Sequence, residues 1–342
     1  MKWITYDEVL TIMNVGLFYN LREDFENNEH CAPKDIIADW DVKDTIEKIK
    51  DGLRFNNYNV LDLKDPNLLI NSNIIDNIDI VFSICEMQGY RYRESLVPSL
   101  CEIIKIPYVF SSPDTLMISL DKNLCNFITK QSGCNVPNWF FINHKNKIIS
   151  SMFNKYPYIL KPSAEGSGIG ITSNSVVFNF HDLKERSKYL LSSYNQPILI
   201  QEYIEGNEIT IGLVENNHKI MTFTALEISP LTKIDFAVYG YNEKENADKL
   251  FQFKPFNADK KLLEQIKRLA IKAFLSIGCK DAARVDIRVS NDKIPYFIEI
   301  NPLPHLHPII GDFCRSAKAS EVSYPQLIKY IMMNVIRRYN LN

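Results

Sequence analysis

Apolar and polar positions alternate in two different ways along this chain. Through the first third, short apolar runs alternate with stretches of helical spacing. Residues 14–20 (NVGLFYN), 58–63, 78–85 and 106–110 read as strands. Ile46, Ile49 and Leu53 within 44–55 fall on one helical face, and 94–105 has the same spacing. This βαβα order predicts a parallel sheet covered by helices. Residues 116–132 continue as one helix that stops at Gly133, a suitable residue just past a helix end.

Farther on the apolar period drops toward two. Strand pairs are expected for 158–161 with 169–173, for 198–203 with 208–215, and then for 219–228. Two long helices interrupt them. In 258–277, Leu262, Leu263, Ile266, Leu269, Ala270, Ala273 and Phe274 share a face and Gly278 ends the run. The other helix is 324–339. Hairpins packed with separate helices indicate α+β lobes rather than a second doubly wound sheet. The expected division is 1–117, 118–200 and 201–342.

A chain of 342 residues can fill two or three such cores, and its 46% hydrophobic and 23% charged content is that of a soluble globular protein. A net charge of −2 gives no electrostatic basis for binding nucleic acid or an anionic membrane. Apolar stretches such as 78–85 are far too short to span a bilayer. Residues 1–13 carry Lys2, Asp7 and Glu8 and lack the apolar core of a signal peptide. The seven cysteines, at 31, 85, 101, 125, 134, 279 and 314, form no CxxC pair and no metal-ligand spacing. They read as buried thiols in a reducing compartment, so a cytoplasmic protein is expected.

Four segments carry candidate chemistry. In AARVDIRVSNDKIPYFIEINPLP (282–304), two strands flank Ser-Asn-Asp-Lys. Alternation gives Arg284, Asp286 and Arg288 a common face on the first strand, and on the return strand Glu299 and Asn301 share a face, while Ile298 and Ile300 point away. A four-residue loop sets Asp286 opposite Glu299 and Arg284 opposite Asn301. Facing carboxylates repel unless a cation lies between them, and Asp, Glu and Asn oxygens suit Mg²⁺. A solvated polar face, with Arg284 neutralising both acids, fits the same pattern.

In YILKPSAEGSGIGIT (158–172), Lys161 ends a strand and Gly166, Gly168 and Gly170 follow at alternate positions. Such a loop lets backbone N–H groups approach phosphate oxygens beside a point charge. No GK[ST] and no helix follow, which excludes a Walker A loop and a dinucleotide fingerprint. A flap closing over a triphosphate and a plain hairpin turn both remain open. In PILIQEYIEGNEITIG (197–212), a strand breaks at Glu202-Tyr203-Ile204-Glu205-Gly206 and resumes at Glu208. A kink of this kind can offer backbone groups to an adenine edge and a carboxylate to ribose, or be an ordinary acidic loop. Lys122 follows Ser119-Leu120-Asp121 on the helix after Tyr108–Ser111.

Taken together and in order, these segments resemble the D-alanine–D-alanine ligase-like branch of the ATP-grasp superfamily. The resemblance spans roughly 78–335: E-x-x-G-Y-R-Y-R-E-S (86–95), IPYVFSSPDTLMISLDK, YILKPSAEGSGIGIT, IQEYIEGNEITIGL, ARVDIRV and FIEINPLP. It implies an ATP-grasp fold, α/β and α+β, with a Rossmann-like N-terminal domain and two α+β lobes enclosing ATP. It further implies that Lys122 and Lys161 contact the ATP phosphates, with Ser167 and Gly168 in the loop folding over them. By the same resemblance, Gln201, Glu202 and Ile204 lie at the adenine hinge and Glu208 holds the ribose. The resemblance also implies that Asp286, Glu299 and Asn301 would bind two Mg²⁺, with Mn²⁺ as a substitute, and that Arg284 would steady the transferring phosphate. The YGYNEK segment (239–244) resembles a substrate-covering loop and makes Lys244 a further phosphate contact. The implied reaction joins a small-molecule carboxylate to an amine through an acyl phosphate, releasing ADP and phosphate. A homodimer is the default assembly.

Three departures bear on substrate. The Gly/Ser-rich N-terminal signature of the cell-wall enzymes is absent, replaced by Tyr19-Asn20-Leu21-Arg22-Glu23-Asp24. Gln201 stands where Glu is usual. His305 follows Pro304 where Gly is expected, as an acid–base group, a contact to a substrate carboxylate, or a ring filling space. His307 lies two residues on. These departures point to an amino-acid or peptide ligation other than D-Ala with D-Ala. An ATP-binding protein with lost or different turnover, regulatory or phosphotransferring, is the competing function.

Overall fold

The computed structural model describes residues 12–24, 33, 35–87, 92–216, 219–232, 236 and 238–341. Residues 1–11, Cys31 and the 88–91 part of the 86–95 motif lie outside them. The first sheet is parallel, in the order β2-β1-β3, from β1 (Asn14–Phe18), β2 (Asn59–Lys64) and β3 (Ile80–Ser83). Crossovers run through α1 (Lys43–Phe55) and the short α2 (Ser72–Ile75), and α3 (Leu96–Ile104) follows β3. Ile46, Ile49 and Leu53 are buried, as their spacing predicts. The fourth strand expected at 106–110 reduces to one parallel bridge, Val81 with Tyr108. Pro107 has no N–H to give, Phe110 turns to φ 73°, and its N–H goes to the buried Asp281 carboxylate at 2.7 Å.

The helix expected over 116–132 is two helices, α4 (Pro113–Leu120) and α5 (Lys122–Gln131). Asp121 lies between them in extended conformation, and its carboxylate accepts the N–H groups of Asn123 and Leu124. An N-cap of this kind starts a helix in a new direction, which delivers Lys122 at its first residue.

The second sheet has the order β4-β7-β5-β6: β4 (Trp139–Ile142), β5 (Tyr158–Pro162), β6 (Val176–Val177) and β7 (Ile198–Glu202), with α6 (Phe180–Tyr194) packed on it. The strand expected at 169–173 does not form. Gly168 and Gly170 take φ of 76° and 72°, and Ile169 and Ile171 donate back to the carbonyls of Gly166 and Gly168. The chain therefore turns twice before β6 pairs with β5.

The third sheet runs β11-β10-β8-β12-β13, with β9 beside β8. Its members are β8 (Gly206–Asn216), β9 (Lys219–Thr222), β10 (Leu226–Pro230), β11 (Phe251–Pro255), β12 (Ala282–Ser290) and β13 (Pro295–Asn301). Helices α7 (Tyr241–Glu245) and α8 (Ala247–Leu250) precede β11, and α9 (Lys260–Ile277) follows it. The pairing expected between 198–203 and 208–215 does not occur, because β7 and β8 belong to different sheets. The Tyr203 N–H goes to Pro157 O at 3.1 Å, and Gly206 starts β8 so close to β12 that a Cβ there would lie 2.0 Å from Val289 O.

Helix α9 buries Leu262, Ile266, Leu269, Ala270, Ala273 and Phe274 against this sheet and ends at Gly278 with φ 86°. Each large side chain so buried contributes about 1.5–3 kcal/mol. Helices α4 and α5 pack on α9 and β13. After α10 (Asp312–Lys318), α11 (Tyr324–Tyr339) packs against both α1 and β8, so one core joins the first sheet to the third. Among the described residues no helix is long and apolar enough to cross a membrane.

Candidate active site

The β12–β13 hairpin sets the chemistry. Its register places Arg284 opposite Asn301 and Asp286 opposite Glu299, as alternation predicts. Near the turn, however, Val289 pairs with Pro295, one residue out of the four-residue-loop register. A bulge after Asp286 absorbs the difference, and Ile298 is the extra residue. Ile298 therefore lines the cleft beside Glu299 instead of pointing away, while Ile300 is buried as expected.

Arg284 forks onto Asp286, with Nε to Oδ1 at 3.0 Å and Nη2 to Oδ2 at 2.8 Å, and Thr210 Oγ1 donates to Oδ1 at 2.7 Å. Arg284 Nη2 lies 3.8 Å from Glu299 Oε1, and Lys122 Nζ lies 3.5 Å from Oε2. Burial pushes the Glu299 carboxyl up, yet Lys122, Lys244, Lys161 and Arg284 outweigh it and hold it well below the usual carboxylate range. Among the described residues no three His, Cys, Asp or Glu side chains cluster as a metal site. The candidate set is the Asp286 and Glu299 carboxylates and the Asn301 amide, hard oxygen donors of the kind that share Mg²⁺ with a phosphate.

Three lysines reach this cleft from separate elements: Lys122 from α5, Lys161 from β5 and Lys244 from α7. Burial, then the neighbouring Lys122, lowers the Lys161 ammonium to about 8. Lys122 is seated by its N–H on Ser163 O at 2.8 Å and by its ammonium on Glu165 O. The glycine loop is held from three sides. Gly170 N donates to Asp35 at 2.8 Å, Arg93 donates to Ala164 O at 2.8 Å and to Asp39 at 2.7 Å, and Arg186 donates to Gly170 O at 2.7 Å. Gly168 lies against Gly240, where a Cβ would come within 2.7 Å of the carbonyl carbon. Glycine is needed there for space as well as for φ.

Gly168, Glu208, Asp286 and Glu299 line the lysine-bearing cleft. Gln201, Glu202 and Ile204 do not line it. Gln201 is buried between Trp139 and Ile159 in the second sheet, Glu202 accepts from Asn138 Nδ2 at 3.0 Å, and Ile204 O accepts from Arg288 Nε at 2.7 Å. Arg288 also pairs with Glu208 at 3.1 Å and lies over the Tyr203 ring at 4.6 Å, so it braces the sheet-to-sheet crossing. Burial pushes the Glu208 carboxyl up, against the pull of Arg288.

An adjoining cleft holds Ser167, Arg284, Asn301 and His305. Its other wall is acidic and comes from the first sheet's side: Asp39, Asp41, Glu86 and Glu94. His305 Nε2 lies 3.1 Å from Asp41 Oδ1, and its side chain is 39% exposed toward the cleft. His307 is different. It is buried, its Nδ1 accepts the N–H groups of Ile309 and Ile310, and its Nε2 meets Asp44 on α1 at 2.9 Å. Burial, then His305, lowers its pKa, in keeping with a neutral ring donating to Asp44. His307 therefore ties the 305–311 turn to α1.

Sequence reading missed Asp39, Asp41 and Asp312. Asp39 and Asp41 lie between regular elements and Asp312 opens α10, and no local pattern marks them, although the acidic run around Trp40 is visible. Burial pushes Glu94 up to about 7 despite Arg93, and raises Glu86 well above the carboxylate range.

A family model described as the D-Ala D-Ala ligase C-terminus matches residues 128–333. A D-alanine–D-alanine ligase of Petrotoga mobilis is 31% identical over 282 residues, covering 82% of this chain and 87% of the relative. One of Aquifex aeolicus is 28% identical over 246 residues, covering 72% and 79%. Among solved structures, the Bacillus anthracis D-alanine–D-alanine ligase complexed with ATP superposes with a TM-score of 0.74 at 19% identity, covering 96% and 99% of the two chains. The VanG D-Ala:D-Ser ligase of Enterococcus faecalis does so with 0.72 at 14% identity, covering 95% and 100%. The fold is ATP-grasp, and the chain belongs to the D-alanine–D-alanine ligase family as an ATP-dependent carbon–nitrogen ligase that forms an amide bond.

Proposed function

We propose that this ligase activates an amino-acid or small-peptide carboxylate as an acyl phosphate and joins it to an amine, with a pair other than D-Ala and D-Ala. The observation that carries the reading is the acid-lined cleft. There the His305 ring and the Asp41 carboxylate occupy the approach to Arg284 and Asn301. A site of that shape and charge selects a substrate by its own polar groups, because a buried polar group left unpaired costs about 1–3 kcal/mol.

Lys122, Lys161 and Lys244 are the candidate phosphate contacts, with Ser167 and Gly168 in the loop above them. Glu208 is the candidate ribose contact, and residues 201–204, beyond the lining of the lysine-bearing cleft, are the candidate adenine side. Asp286, Glu299 and Asn301 would hold Mg²⁺, which would neutralise phosphate charge when bound. Arg284, already forked on Asp286, is placed to meet charge developing on the transferred phosphoryl group. Closed over the site, the glycine loop would keep water from the acyl phosphate, which would otherwise hydrolyse. Six described cysteines are buried free thiols, which supports a reducing, cytoplasmic setting.

A pairwise screen of L- and D-amino acids and dipeptides with ATP, read by phosphate release and product mass, tests the reading. It predicts an amide from a pair other than two D-alanines. Turnover confined to D-Ala with D-Ala contradicts it.

A further inference from the structure

The two clefts share a boundary formed by Gly166, Tyr239, Lys244 and Asp312. One side of that boundary carries the lysines, Asp286 and Glu299, and the other carries His305 and Asp41. On the ligase reading, a carboxylate whose oxygen takes the phosphoryl group and whose carbon then takes the amine lies at this junction. Of the boundary residues only Asp312 is an acid.

Asp312 is 7% exposed, and its Oδ1 has no hydrogen-bond partner among the described residues. Native proteins rarely leave such an oxygen buried and unmet without a use for it. The nearest cation on its own helix does not satisfy it. Arg315 Nε stays 4.0 Å away, because the guanidinium donates to Asp248 at 2.6 Å and lies over the Phe253 ring at 4.0 Å. Burial raises the Asp312 carboxyl above its ordinary range, against the pull of Arg284 and Lys244 across the junction, and the nearby Asp286 adds to the rise.

Resting on the ligase reading above, we infer that Asp312 is the amine-side residue of the reaction: it receives the ammonium group of the acceptor substrate and takes its proton. The free amine's lone pair then forms the C–N bond as the bond from the carbonyl carbon to the phosphate oxygen breaks. Phosphate leaves with that electron pair, and the second amine proton departs with it. A cationic acceptor meets a carboxylate here, so the chemistry selects a protonated amine in place of a neutral or anionic nucleophile.

Hydroxylamine separates this role from a structural one. It is unprotonated at neutral pH and needs no base, yet it captures an acyl phosphate as a hydroxamate. The probes are ATP with Mg²⁺, a panel of L- and D-amino acids as carboxylates, and either hydroxylamine or the same amino acids as the amine. Asp312→Asn should make hydroxamate within about threefold of wild type and lose amide synthesis by about 100-fold or more, the range of a general base. Asp312→Glu should recover part of the amide synthesis. Equal loss of both products in Asp312→Asn, or loss of neither, overturns the assignment. Absence of hydroxamate from the wild-type protein would instead remove the ligation reading of the cleft, and this assignment with it.

Discussion

The lysine-lined cleft and the acid-lined cleft meet at Asp312 and Lys244 but are assembled differently. The first takes its groups from regular elements: alternate positions on β12 and β13, the end of β5 and the first residue of α5. The second takes Asp39, Asp41 and His305 from loops brought together only by packing of the first sheet against the third. Strand geometry constrains the one tightly, whereas the other can change residues without disturbing a ladder. On the proposed reading, the chemistry of activation is assigned to the first cleft and substrate choice to the second.

The sharpest way to break that contrast is at Asp286 and Glu299. Asp286→Asn and Glu299→Gln are nearly isosteric, and each should lower turnover by about 100-fold or more while leaving the thermal midpoint within a few degrees. Wild-type rates in either, measured by coupled ADP release, contradict the metal assignment. Gly168→Ala should follow with a loss of about 10–100-fold. Its φ of 76° and the 2.7 Å approach to Gly240 displace the loop, and the loss should appear in turnover. In the other cleft, His305→Ala should change the KM of one substrate by about tenfold and leave the KM for ATP unchanged. A matched change in both would show that the clefts are not separate in function.

His307→Ala should leave both KM values alone and cost about 1–3 kcal/mol of stability, since it strands the Ile309 and Ile310 N–H groups and Asp44. The smallest effect is opposite pH behaviour in the two clefts. Glu94 has a folded pKa raised to about 7, so the folded state holds a proton that the unfolded chain releases from about pH 4.5 upward. Its contribution to stability therefore falls as pH rises through that window. Lys161 is lowered to about 8, so the unfolded chain binds the proton that the folded state gives up, and stability rises from about pH 8 toward 10.5. Thermal unfolding against pH should lose the acid-side slope in Glu94→Gln and the alkaline slope in Lys161→Met.

The hairpin register was legible because alternation is rigid: Arg284, Asp286, Glu299 and Asn301 lie where a period of two puts them. The bulge at Ile298 was not, since it resolves a one-residue conflict between turn and cleft that shows no local signature. The long helices ended where Gly278 and Tyr339 suggested. The break at Asp121 was missed although Asp is a strong cap, because apolar spacing runs through it. Strands 198–202 and 206–216 look like a hairpin in sequence, and only tertiary pairing with β5 and β12 sends them to different sheets. The acidic wall and Asp312 depend wholly on such tertiary placement.

The central claim, that a carboxylate is activated by phosphoryl transfer before an amine displaces the phosphate, has one direct test. The protein is given ATP, Mg²⁺, an amine and a carboxylate labelled with ¹⁸O in both oxygens, and the released phosphate is weighed by mass spectrometry. The account predicts phosphate carrying one ¹⁸O for each amide formed. Unlabelled phosphate alongside an amide, or a stable phosphorylated product with no amide, would contradict it.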